Sequence, residues 1–363
     1  MSKDQILRAE QTFMPERWDG FDILKAICAF LIVCIHAPFV GEGGQYFLTL
    51  TRIAVPIFFM ITGFFYTSMA EKGKLVRQIK KVFILMVQAN LLFFIWKMLM
   101  FVLSGGEITV YLKTVITVNS VLKFLFLNES PFNGHLWYLG AILYVLIIVM
   151  IFDKLGQRKL LYVVTPLLLI GDLVLGKYSI LILGREFPYI FVRNFLFVGI
   201  PYFCIGRLIF EHRDFIRRQV DNRKRLLVFI SVLFAGTSLL ERFFLANADM
   251  NAVRDHYIST TFLAVTVFVL FLSYHCNPGV SGKPSELQNI LAAVGRSDST
   301  WIYIIHPIFI TILAKIAKTV GMADEYTYVR PIVVFIITLV FVEVFRRIYI
   351  SVLKAAALKH SAV

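Results

Sequence analysis

The chain has 363 residues, 58% of them hydrophobic and 15% aromatic, with a mean hydropathy of +0.76 and a formal net charge of +14. One soluble core cannot absorb that much apolar sequence, which excludes an ordinary globular enzyme. The positive charge does not call for nucleic acid, because it collects in short loops between apolar segments, where anionic lipid headgroups attract it.

Ten apolar segments follow one another, at 21–40, 50–69, 80–103, 134–152, 159–176, 189–210, 226–246, 257–276, 299–317 and 331–353. Each has the length of a membrane span, about 18 to 25 residues. The residues before them are polar and charged, without an apolar run or small-residue cleavage site, so no cleavable signal is expected. Lysines and arginines favour the N-terminal side of the bilayer by about three to one, which predicts cytoplasmic N- and C-termini. The expected fold is an all-α polytopic membrane protein of about ten transmembrane helices. A cytoplasmic segment is expected over 1–20, the transmembrane domain over 21–355 and a cytoplasmic tail over 356–363.

The first segment, FDILKAICAFLIVCIHAPFV, carries Asp22, Lys25 and His36. Ionisable groups are costly in hydrocarbon and rarely sit there without a task. At about 100° and about 1.5 Å per residue, Lys25 and His36 share one helical face, roughly 16 Å apart along the axis. Arg52 opens the second segment, placed to bind an oxyanion or to snorkel outward. Lys74, Arg77, Lys80 and Lys81 form a basic cluster after that segment, predicted on the cytoplasmic side. Residues 104–133 read as an interfacial or re-entrant stretch.

His135, next to Trp137 and Tyr138, suits either acceptor binding or an interfacial anchor. The loop EHRDFIRRQVDNRKR is the longest basic run and serves as a topology determinant. Glu241, near the outer end of the seventh segment, is at a depth comparable with His36 and is the expected partner of its imidazole; Arg242 beside it offers a purely structural ion pair instead. Tyr303 and His306 lie in the ninth segment, where Pro307 loosens backbone pairing. The cysteines Cys28, Cys34, Cys204 and Cys276 fall in or at the ends of spans and read as packing residues. No pair has zinc-ligand spacing, so no metal is expected.

The motifs DILKAICAFLIVCIH, TRIAVPIFFMITGFFY, RQIKK, GHLWYLGAILY and GRSDSTWIYIIHPIFI occur in that order. Together they resemble the membrane acyltransferase-3 family, ten-helix bacterial enzymes that O-acylate cell-surface glycans and related acceptors. The resemblance covers nearly the whole chain, from about Trp18 onward. It implies a bacterial inner-membrane enzyme that uses acetyl-CoA or another acyl-CoA as co-substrate, with no permanently bound cofactor. It implies an exterior glycan or lipid-linked sugar as acceptor, and the lipid bilayer as surroundings.

The family's arginine, ten residues and a histidine correspond to Lys25 and His36, and its Arg-x-x-Arg pair to Arg77 and Lys80. Both departures keep the charge but lose the guanidinium fork. By this resemblance His36 and Glu241 are the catalytic candidates. Lys25, Arg77, Lys80, Lys81, Tyr303 and His306 are candidates for donor binding, and Arg52 and His135 for acceptor binding. A neutral imidazole can act as general base or form an acyl-histidine. Some relatives in the family are coupled to serine uptake or were proposed to export polysaccharide, so a transporter is the alternative class.

Overall fold

The computed structural model describes residues 18–274 and 285–360, with side chains as far as Leu353. Residues 1–17, the Cys276 position and the last three residues of the tail lie outside that description. Among the described residues there are sixteen α-helices and no strand.

Every predicted apolar segment contains an α-helix, although the sixth, 189–210, is α-helical only from Ile200 onward. They are α1 (Asp19–His36), α2 (Gly41–Thr51), α3 (Ala54–Glu71), α4 (Leu75–Leu103), α5 (Ile108–Val115), α6 (Val118–Leu127), α7 (Trp137–Lys154), α8 (Arg158–Leu175) and α9 (Ser179–Leu183). There follow α10 (Ile200–Glu211), α11 (Arg213–Asp221), α12 (Lys224–Asn247), α13 (Ile258–Leu272), α14 (Glu286–Ser297), α15 (Ser299–Thr319) and α16 (Ala323–His360).

Among the described residues, six helical runs are long and apolar enough to cross a bilayer, and two bent pairs raise the number to at most eight. The difference from ten has a physical reason. Both α1 and α8 have only 18 residues, and each carries three charged groups: Asp19, Asp22 and Lys25 on the first, Arg158, Lys159 and Asp172 on the second. Helix α13 has 15 residues, short of a full span. The run ending in α10 turns by 78° into the basic α11. The stretch expected to be interfacial or re-entrant forms α5 and α6, joined at a 48° bend.

Small residues set the tightest crossings. A Cβ at Gly206 on α10 would lie 2.0 Å from the Met60 carbonyl oxygen, and one at Gly63 on α3 would lie 2.0 Å from that of Phe203. The two backbones therefore touch, as small-residue interfaces allow in membranes. Gly295 likewise brings α14 onto α1, where a Cβ would be 1.7 Å from the Asp22 carbonyl oxygen.

An aromatic core fills the end of the bundle where α1 begins. Phe21 meets Phe64 with ring centroids 4.8 Å apart and Phe268 at 4.6 Å. Helix α12 buries only Ser238 and Leu245 fully and leaves about half of its residues exposed. That is the pattern of a helix facing lipid. The described cysteines, Cys28, Cys34 and Cys204, are free and buried.

Helix α3 runs back along α1, so the two ends of the bundle are about 27 Å apart over its 18 residues. One end holds Asp22 and the start of α4. The other holds His36 and the start of α3.

Candidate active site

At the His36 end, residues from six parts of the chain line one cavity: His36, Arg52, His135, Arg193, Asp255 and Tyr303 are among them. Its volume is about 30 Å³, room for about two waters. His36 terminates α1, and its side chain remains accessible although protein surrounds the ring.

Three imidazoles cluster here. The His36 centroid is 5.2 Å from that of His306 and 6.0 Å from that of His135, and the latter two are 5.5 Å apart. The Nε2 of His135 lies 3.2 Å from the Ile304 carbonyl, and the Nδ1 of His306 lies 3.0 Å from the Ile302 carbonyl. A carbonyl can only accept, so these nitrogens carry the protons and each partner nitrogen presents a lone pair. Those lone-pair atoms, His135 Nδ1 and His306 Nε2, are buried without a hydrogen-bond partner. The Tyr303 hydroxyl donates to the His135 carbonyl, which ties the start of α7 to α15. Pro307 lacks the amide that would bond the Tyr303 carbonyl within α15, which loosens the helix at this point. Among the described residues, no group of His, Cys, Asp and Glu has the geometry of a metal site.

Charged groups complete the wall. Arg52 pairs with Asp255. Arg193 stacks over Tyr189 at 4.5 Å and over Trp137 at 5.5 Å. The chain delivers Arg193 there because Asn194 ends the preceding loop as an N-cap. Its Oδ1 accepts from the Leu196 and Phe197 amides at 2.9 and 3.2 Å, starting a short π-helical turn at Phe195–Gly199. The Asp255 loop is held in turn by His256, whose Nδ1 is 2.8 Å from Asp172 on α8, with both residues buried. Burial alone would raise the Asp255 carboxyl. Arg52 and Arg193, joined by His256 and a Tyr189 hydrogen bond, hold it well below the usual carboxylate range, so it is anionic.

The sequence candidates thus divide between the two ends. His36, Arg52, His135, Tyr303 and His306 come together around one cluster. Tyr303 and His306 lie beside His36. Lys25 lies towards the other end, 3.0 Å from Asp22 and 5.9 Å from the Phe65 ring centre. Arg77, Lys80 and Lys81 are exposed at the start of α4 at that same end.

Glu241 is not among the groups lining the His36 cavity. It accepts from the Ile258 and Ser259 amides at 2.9 and 3.0 Å and from the Tyr178 hydroxyl, so it caps the N-terminus of α13. The carboxylate that does line the cavity, Asp255, lies fourteen residues further on.

Sequence reasoning missed Arg193, Asp255, His256 and Asp172. Asp172 and Arg193 carried a usable signal, since each is a charged residue inside a predicted apolar segment, as conspicuous as Lys25. Asp255 and His256 precede the eighth segment, where sequence periodicity is silent.

The acyltransferase-3 family, described as an acyltransferase domain, matches residues 18–345. An amino-acid racemase of Enterococcus faecalis is 26% identical over 322 residues, covering 84% of this chain and 43% of that protein. A serine/alanine racemase of Enterococcus gallinarum is 25% identical over 352 residues, covering 90% of this chain and 46% of the relative. The chain therefore spans less than half the length of these curated relatives. No solved structure matches.

Proposed function

The chain belongs to the acyltransferase-3 family, and from that premise we propose that it is an integral membrane O-acyltransferase. It moves an acetyl or other short acyl group from acyl-CoA to a hydroxyl of an exported cell-surface glycan or lipid-linked sugar. The observation that carries this reading is the accessible His36 ring in a cavity it shares with Arg52, Arg193 and Asp255. The racemase names belong to proteins of which this chain matches less than half, so their printed activity is not carried over.

In this reading the ten segments lie in the bacterial inner membrane with both termini in the cytoplasm. The two ends of the bundle then face two compartments. Arg77, Lys80 and Lys81 hold the phosphates of the coenzyme on the cytoplasmic side, as exposed cations do for a polyanion. Lys25 flanks the approach, and pantetheine spans the distance to His36. Tyr303 and His306 border the thioester, and Arg52 and His135 border the acceptor.

His36 acts as general base. The acceptor hydroxyl gives its proton to the neutral imidazole as its oxygen bonds to the thioester carbonyl carbon. The carbonyl oxygen becomes an oxyanion, and the guanidiniums of Arg52 and Arg193 offset its charge. The C–S bond then breaks, and the departing thiolate takes the proton from the imidazolium. Asp255, the carboxylate in the same cavity, stabilises that imidazolium in the role sequence reasoning gave to Glu241.

The test is transfer from labelled acetyl-CoA by the reconstituted full chain, compared with a His36→Ala variant. The variant is expected to lose about a hundredfold to ten-thousandfold in rate. Undiminished transfer by it rejects His36 as the base.

A further inference from the structure

A second cavity, of about 140 Å³, adjoins the first and shares Arg52 with it. Three more cations line it, Lys177, Arg242 and Arg254, and no carboxylate does. The volume holds several waters, hence a group the size of phosphate or carboxylate.

Two of the four cations are balanced nearby. Arg52 pairs with Asp255, and Arg254 lies 3.6 Å from Glu186. The other two have no carboxylate within ion-pair distance among the described residues. Lys177, only 5% exposed, donates to the Ala252 carbonyl at 2.9 Å and to Asn251 Oδ1 at 3.4 Å. Arg242 lies over the Tyr46 ring at 5.0 Å. The Nε atoms of Arg242 and of the buried Arg254 have no hydrogen-bond partner at all.

Buried cations and unpaired guanidinium donors are costly to keep unless an anion meets them. We infer that this cavity is an oxyanion subsite that takes an acidic group, phosphate or carboxylate, carried by the acceptor near the hydroxyl that is acylated. Arg52 belongs to both cavities and so places the anion next to His36. The donor phosphates, by contrast, belong to the exposed cations at the opposite end. Assignment to the acceptor rests on the acyltransferase reading above; anion binding itself does not.

The ionisation of Lys177 agrees. Burial, with Arg52, Arg242 and Arg254 nearby, pulls it down to about 7 against the opposing effect of Asp255. A bound oxyanion reverses that and holds the ammonium charged.

The experiment needs no acyl donor. The full chain in phosphatidylcholine nanodiscs is melted against rising inorganic phosphate or acetate, with ionic strength held constant by chloride. At least one of the two anions is expected to raise the unfolding midpoint saturably. Lys177→Met and Arg242→Gln are each expected to raise the half-saturating concentration about tenfold, the loss of one charge-assisted hydrogen bond. Lys177→Arg, which keeps the charge, retains binding and separates lost charge from lost fold.

The stronger of the two anions identifies the acidic group of the acceptor. Protection by neither anion overturns the proposal. So does protection that persists unchanged in both Lys177→Met and Arg242→Gln, or that disappears only in Arg77→Gln/Lys80→Gln at the other end. Saturable binding with no transfer from any acyl-CoA leaves the subsite standing and removes the acyltransferase reading instead.

Discussion

Replacing Glu241 by Gln separates a structural carboxylate from a catalytic one. Glu241 accepts two amide hydrogen bonds at the N-terminus of α13, from Ile258 and Ser259, and a third from Tyr178. Gln has one acceptor oxygen, so one amide keeps its partner while the other faces an NH₂ group. Losing one charge-assisted hydrogen bond costs about 1.5–3 kcal/mol. Removing a negative charge from a helix N-terminus costs about 0.3–1 kcal/mol. Glu241 is half-buried, so the low end applies to both. The expected loss is about 2 kcal/mol, or about thirtyfold in the unfolding equilibrium.

The assay pairs the thermal unfolding midpoint of the purified variant with acyl transfer per folded molecule. The midpoint is expected to fall, while transfer stays within about twofold of the parent because Glu241 is absent from the cavity that holds His36. An unchanged midpoint with transfer reduced about a hundredfold would refute this reasoning and return Glu241 to the chemistry.

Two further outcomes follow from packing and charge. Gly295→Ala forces a methyl to within 1.7 Å of the Asp22 carbonyl oxygen, whereas Gly236→Ala meets nothing within 4 Å. The first is expected to destabilise by about 1–3 kcal/mol and the second to be neutral; equal melting of the two variants contradicts the close crossing of α14 and α1. Lys177 lies at about 7 in the folded chain, below its ordinary 10.5, through burial and the cations Arg52, Arg242 and Arg254. Between those values the unfolded chain binds more protons, so the anion-free protein gains stability as pH rises, by up to about 1.4 kcal/mol per unit. Lys177→Met is expected to flatten that rise in melts from pH 7 to 10 in chloride, and a parent chain that loses stability over that range contradicts the burial.

Much of the architecture is legible in the sequence. Hydropathy alone located ten helical segments, since every backbone amide in hydrocarbon must bond within its own segment and apolar runs of that length have no other fold. Which of them are complete spans was less legible. The charged α1 and α8, the short α13 and the bend after α10 depend on how neighbours shelter polar groups, and hydropathy does not encode neighbours.

The site shows the same division. His36 stood out because an imidazole in an apolar run is expensive wherever the run ends up. His135, Tyr303 and His306 could be suspected on similar grounds, but not that they meet His36. Glu241 looked like its partner because depth along a helix can be counted, whereas the direction in which a helix faces cannot. Asp255 gave no local signal, being a loop charge among other loop charges, and Arg193 stood inside an apolar segment without any sign of what it would face.

Composition and periodicity thus determined by themselves that the chain is a helical membrane protein with costly ionisable groups in its first segment, because those are local properties of residues in hydrocarbon. Only the tertiary structure decided which carboxylate faces the imidazole and that three histidines converge. It alone showed that four cations line one cavity, because such meetings arise from helix packing between residues two hundred or more positions apart, such as Arg52 and Asp255 or His36 and His306.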